Sequence, residues 1–155
     1  MNPEVKLDEL YQEVILDHNR RPRNYGKLEH PTAYSHGVNP LCGDDYHLYL
    51  EVDNTGVIRD LAFEGSGCAI SKSSASMMGE AVLGKTVGQA KKIDEEFLNM
   101  LTSSAATTPS KEGLGKLKIF EGVKNFPARV KCAALIWRAL EDALGNKSQQ
   151  VTTQD

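Results

Sequence analysis

YHLYLEVDNTGVIRDLAFEG, residues 46–65, decides the fold. In its first half Tyr46, Leu48, Leu50 and Val52 alternate with His47, Tyr49, Glu51 and Asp53, the period-two pattern of a half-buried strand. DNTG at 53–56 is a hairpin turn signal, and VIRDLAFEG reads as the returning strand. Just upstream, part of 33–41 is read as a third strand. After Gly67 the period changes. CAISKSSASMMGEAVLG (68–84) reads as a helix closed by Gly84, although its serines are poor helix formers and packing must support it. Thr86 is read as an N-cap for TVGQAKKIDEEFLNML (86–101), with KKIDEE as a solvated face. PARVKCAALIWRALEDALG (127–145) is a strong helix, with Pro127 in its first turn and Gly145 at its stop. Val130, Ala133, Ala134, Trp137, Leu140 and Leu144 form its apolar stripe. At the other end, Leu7, Leu10, Tyr11, Val14 and Ile15 predict a helix over 6–18, stopped by Pro22 and Gly26.

A helix, then hairpin strands, then helices implies the α+β class: a small antiparallel sheet of about three strands packed against helices. Residues 1–145 are expected to form one domain. TSSAATTPSKEGLG (102–115) has turn formers and few apolar residues, which predicts a mobile surface loop. The polar tail 146–155 is expected to be disordered.

The chain has 155 residues, long enough to build a core without disulfide or metal staples. Lys plus Arg is 18 against 21 for Asp plus Glu, a net charge of −3, which argues against nucleic-acid binding. The longest apolar run, CAALIW at 132–137, is far too short to span a membrane. MNPEVKLDEL lacks the apolar segment of a secretory signal. A cytoplasmic location follows as an expectation.

Three cysteines, Cys42, Cys68 and Cys132, with no secretory signal argue against a disulfide framework. Free cysteines are often buried core side chains, and no CxxC signature is present. Two of the three, however, lie in glycine corners. NPLCGDD (39–45) forces a turn that presents Cys42, and Asp44 two residues on can aim at the same point. EGSGCAIS (64–71) places Cys68 at or before a helix N-terminus, where unpaired N–H groups lower a thiol pKa. Cys132 lies early in the last helix, beside its apolar stripe. Core cysteines do not need such corners, whereas ligands held on tight loops do. Together with Asp44 they make three thiolates and one carboxylate, a set able to hold a tetrahedral Zn²⁺ or an iron–sulfur cluster. Four negative charges on a divalent ion leave the site anionic. Arg129 and Lys131 are placed to balance it and to meet a partner, or else to line a solvated helix face. The carboxylate, a hard ligand among thiolates, suggests a site built to open.

Other residues have plainer readings. His36 is either a further ligand or an exposed loop side chain. His47 is read as surface. Arg20, Arg21 and Arg23 dock an acidic partner or face solvent. Met77 and Met78 are core filler.

Four segments carry a family resemblance: ILDHNRRPRNYG (15–26), NPLCGDD (39–45), GSGCAISKSSASMM (65–78) and RVKCAALIWRAL (129–140). Through them the chain resembles the IscU/NifU N-terminal family of iron–sulfur cluster assembly proteins, and within it the zinc-containing SufU type. The resemblance implies an IscU/SufE-like fold, with Cys42, Asp44, Cys68 and Cys132 as metal or cluster ligands. IscU-type scaffolds have a His where this chain has Lys131, and a chaperone-recognised Leu-Pro-Pro-Val-Lys segment where it has EGVKNFPARVK (121–131). Chaperone-driven cluster release is therefore not expected. The extra segment at about 102–120 looks like the SufU type. That implies a sulfurtransferase-like carrier rather than a conventional enzyme. It would accept persulfide sulfur from a SufS-type cysteine desulfurase, with Cys42 as the acceptor and Cys132 as the alternative. The sulfur would pass to a downstream Suf-type scaffold or to apo iron–sulfur proteins. The competing functions are a scaffold for a [2Fe–2S] or [4Fe–4S] cluster and a non-catalytic structural zinc domain.

Overall fold

The computed structural model describes residues 3–102, 113–145 and 150–152. The elements run α1 (Pro3–Arg20), β1 (Ala33–Asn39), β2 (Asp44–Val52), β3 (Ile58–Ser66), α2 (Ala69–Val82), α3 (Val87–Thr102), a 3₁₀ segment (Gly115–Asn125), α4 (Pro127–Leu144) and β4 (Gln150–Thr152). The expected α+β architecture is present. β1, β2 and β3 form an antiparallel sheet, with the hairpin where the alternation places it. Asp53 Oδ1 pins the turn by accepting from the backbone N–H groups of Thr55 and Val57 at 2.9 and 3.0 Å.

Alternation decides which face meets the helices. Tyr46, Leu48 and Leu50 of β2 and Leu61 and Phe63 of β3 are fully buried. Against them lies α4, which also packs on α2, α3 and the 3₁₀ segment. Because neighbours surround it, α4 is buried far beyond its six-residue stripe. Cys132, Leu135, Ile136, Ala139 and Ala143 are inside as well. Trp137 stacks on Phe97 at 4.5 Å, and Phe97 meets Phe120 edge-on at 5.7 Å. Such pairs add about 0.5–1.5 kcal/mol each beyond their burial.

The serines of α2 are explained by the same packing. Ser71, Ser73, Ser74 and Ser76 are all buried. Ser74 donates to the Ala133 carbonyl at 2.7 Å and accepts from the Trp137 indole at 3.1 Å. Ser76 takes a 2.7 Å contact from His18 of α1 and accepts the Arg23 N–H at 2.9 Å. Small hydroxylated side chains let three helices approach closely while satisfying buried polar groups. Thr86 caps α3 as expected, and Gln89 returns the bond to complete a capping box.

Several expectations are corrected. Helix α1 extends past 6–18 at both ends. KKIDEE is not wholly a solvated face, since Asp94 and Glu96 are buried. Most of the loop expected at 102–115, residues 103–112, lies outside the described residues. Just after it, Leu114 is buried against the core. Gln150–Thr152, within the tail expected to be disordered, form a short strand parallel to β1, giving the sheet order β3-β2-β1-β4. This covers an edge of β1 that would otherwise present unpaired backbone groups. Backbone pairing leaves no side-chain pattern to read.

Candidate metal centre

Strand β1 ends at Asn39 and β2 begins at Asp44, so Pro40–Gly43 form the connecting turn. Gly43 has φ +72°, and the Cys42 N–H donates to the Asn39 carbonyl at 3.2 Å. The turn leaves Cys42 half-buried and swings Asp44 inward to complete burial. From α4, Cys132 reaches the same point. One ligand atom each from Cys42, Asp44 and Cys132 lies within 4.8 Å of the others, across ninety residues of sequence.

Cys68 borders this trio. It is the N-cap of α2, as its position after Gly67 predicts, and its Sγ accepts from the Ser71 N–H at 3.4 Å. The Cys68 backbone N–H donates to Asp44 Oδ1 at 2.9 Å, and Ser71 Oγ donates to the same oxygen at 3.0 Å. Asn39 Nδ2 lies 3.4 Å from Asp44 Oδ2 and 3.7 Å from Cys132 Sγ. Tyr46 Oη is 3.1 Å from Ser71 Oγ. Asp44 is therefore held on both oxygens by three donors from two elements. Gly67 makes room for this arrangement, because a Cβ there would lie 2.5 Å from Asp44 Oδ1 and 2.6 Å from Ser71 Oγ.

The electrostatics concentrate negative charge. Burial pushes the Cys132 thiol well above its ordinary value, reinforced by hydrogen bonding with Cys42 and by the nearby charges of Cys68 and Asp44. Arg129, one turn before Cys132 on α4, is exposed. Its pKa is raised first by hydrogen bonding with Cys132 and then by the charge of Cys68. Lys131 is half-buried on the same helix, next to Cys132.

The four side chains singled out in the sequence thus come together, three as a tight cluster and Cys68 at its edge, with Arg129 alongside. His36 does not join them. It lies on the outer face of β1, neither a loop residue nor near the thiols. Asn39, Tyr46 and Ser71 were missed as members of the site. Only Asn39 left a usable signal, since it sits directly before the turn whose far end is Asp44.

A buried carboxylate beside three converging thiols on an α+β scaffold is the architecture of a metal- or cluster-handling domain. The chain belongs to the NifU-like N-terminal domain family, which matches residues 10–133. It is 38% identical over 147 residues to the zinc-dependent sulfurtransferase SufU of Bacillus subtilis, covering 95% of this chain and 97% of that one. It is also 38% identical over 152 residues to the iron–sulfur cluster assembly scaffold protein IscU of Streptococcus pyogenes, covering 97% and 93%. Among solved structures it superposes with TM-score 0.80 on the SUF-system scaffold protein SufU of Fervidobacterium islandicum, at 38% identity, covering 88% of this chain and 97% of that one. The resemblance carried by the four motifs is thus a family membership. Among the described residues no helix is long and apolar enough to cross a membrane.

Proposed function

We propose that this chain is a sulfur carrier in iron–sulfur cluster biogenesis, holding Zn²⁺ through Cys42, Asp44, Cys68 and Cys132. The observation that carries the proposal is the approach of Cys42, Asp44 and Cys132 donor atoms to within 4.8 Å of one another. The donor set suits the ion: zinc takes thiolate and carboxylate ligands in a four-coordinate site. When bound, it would keep the buried thiols deprotonated.

The residues around the donors divide the labour. Asp44 and Cys132 sit on regular elements, Cys68 caps α2, and Asp44 is anchored by three hydrogen bonds. Cys42 sits in a four-residue turn beside the exposed Leu41. Half-buried, and carried on this turn instead of on a strand, a helix or a helix cap, it is the sulfur acceptor. Cys132, with no exposed surface, is the less suitable alternative. The Cys42 thiolate attacks the terminal sulfur of a cysteine persulfide on a SufS-type desulfurase. A new S–S bond forms at Cys42, the donor's S–S bond breaks, and the donor cysteine leaves as a thiolate. The exchange needs no external oxidant or reductant. Arg129 stabilises the anionic surroundings. The sulfur would then pass to a Suf-type scaffold or to apo iron–sulfur proteins, in the cytoplasm.

A scaffold role is the second reading, favoured by the IscU scaffold from Streptococcus pyogenes being as similar as the SufU protein. The same four side chains would then hold a cluster as cargo. Desulfurase turnover with and without the chain decides the matter. Stimulation lost in Cys42→Ala supports the carrier. Normal sulfur acceptance by Cys42→Ala overturns it. A brown chromophore that activates an apo-enzyme after anaerobic reconstitution supports the scaffold.

A further inference from the structure

Asp44 points inward, and Asp45, the next residue of β2, points to the opposite face of the sheet. There Asp45 meets two histidines. His36 of β1 and His47 of β2 are direct cross-strand partners, and their rings stack at 4.2 Å and 9°. His36 Nε2 is 2.6 Å from Asp45 Oδ1, and His47 Nε2 is 3.9 Å from the same oxygen. One ligand atom from each of the three lies within 4.8 Å of the others. We infer that His36, Asp45 and His47 form a second divalent-metal site, for a borderline ion such as Zn²⁺, on the outer face of the sheet.

The backbone supplies most of the organisation. A cross-strand pair fixes both imidazoles on one side of a rigid ladder, with their Cβ atoms about 5 Å apart. Asp45 is two residues from His47, so the pleat returns it to the same face. Ligand atoms in a tetrahedral zinc site with bond lengths near 2.1 Å are about 3.4 Å apart. The observed 2.6 and 3.9 Å straddle that spacing. Rotations about the soft χ2 torsions of histidine and aspartate bring the three together without backbone movement.

The surroundings favour ligation at Nε2. Tyr34 Oη is 2.5 Å from His47 Nδ1. With that nitrogen engaged by the phenol oxygen, Nε2 is left towards Asp45, the outer-shell arrangement that orients metal-binding imidazoles. His36 and His47 side chains are 27% and 35% exposed and Asp45 is 51% exposed, so a fourth position is open to water or to a partner's ligand. Imidazole and carboxylate donors suit Zn²⁺, Ni²⁺ and Cu²⁺, whereas the thiolate-rich set across the strand favours softer ions. The two sets are separated by β2 itself and differ in donor chemistry. The outer site does not depend on what the thiols hold.

The test uses the full chain loaded with one equivalent of Zn²⁺ and titrated with more by calorimetry, beside His36→Gln and His47→Gln. The expected result is a further equivalent bound by the parent chain and weakened at least about tenfold in each variant, as loss of one ligand among three requires. The same titration, followed through imidazole ¹⁵N resonances of the parent chain, is expected to shift His36 and His47 together while exposed His30 stays put. This second measurement holds even if a variant fails to fold, and whether or not the thiols take the first equivalent. No joint shift of His36 and His47, or equal binding by folded variants, overturns the site.

Discussion

Asn39 and Asp44 are the last facing pair of the β1–β2 ladder, and both are completely buried. The Asn39 amide addresses Asp44 Oδ2 and Cys132 Sγ together, at 3.4 and 3.7 Å, while its own Oδ1 has no partner among the described residues. One side chain therefore orients two of the four proposed ligands. Asn39→Ala is expected to weaken zinc binding by about 10–100-fold. Asp44 Oδ2 is then left buried without its donor, so the metal-free protein should lose about 1–3 kcal/mol. Chelator competition measures the first and urea unfolding the second. Unchanged zinc affinity would remove Asn39 from the site.

Gly67 offers a steric test of the same polar knot. A methyl group there would collide with Asp44 Oδ1, Ser71 Oγ and Tyr46 Oη, all at 2.8 Å or less. Gly67→Ala should destabilise the chain by about 1–3 kcal/mol, as other overpacked sites do, and should loosen zinc. Gly122→Ala is the control, because nothing lies within 4 Å of a Cβ at that position. Thermal midpoints that fall equally for both variants would contradict the assignment.

Arg129 tests the charge balance. It is exposed, so its attraction to the thiols is weakened by solvent. Arg129→Gln should reduce zinc affinity only a few-fold, about 0.5–1 kcal/mol, and the effect should shrink as salt is raised. A hundredfold loss, or none at low salt, would assign it a different role.

Asp94 gives the stability a pH dependence. It is 6% exposed on α3, and burial, reinforced by hydrogen bonding with Glu141, holds its carboxyl well above the usual range. The folded chain therefore keeps a proton that the unfolded chain loses near pH 4. Stability from this group is full below that pH and declines as pH rises towards the folded value. Asp94→Asn cannot ionise. It should exceed the parent in stability at pH 8 by at least about 1 kcal/mol, with the gap narrowing towards pH 5. Denaturant midpoints across that range check it, and a gap independent of pH would refute it.

Legibility followed locality. The β2–β3 hairpin was readable because alternation and a turn signal are properties of adjacent residues, and the capping of α3 at Thr86 was readable for the same reason. Cys42 and Cys68 could be picked out because the glycines beside them mark corners. KKIDEE misled because charge suggests solvent, and only the packing of α3 against its neighbours buries Asp94 and Glu96. The serines of α2 were legible as poor helix formers, but their partners lie about sixty residues away in Ala133 and Trp137.

Sequence alone settled the class of fold and the strand alternation and singled out four candidate donor side chains, because each is written in neighbouring residues or short motifs. Tertiary structure decided which donors meet, that Asn39 and Ser71 brace Asp44, and that His36 belongs with His47 and Asp45 instead of with the thiols. Strand pairing and helix docking bring remote residues within bonding distance, and no local pattern records which partner a side chain will find.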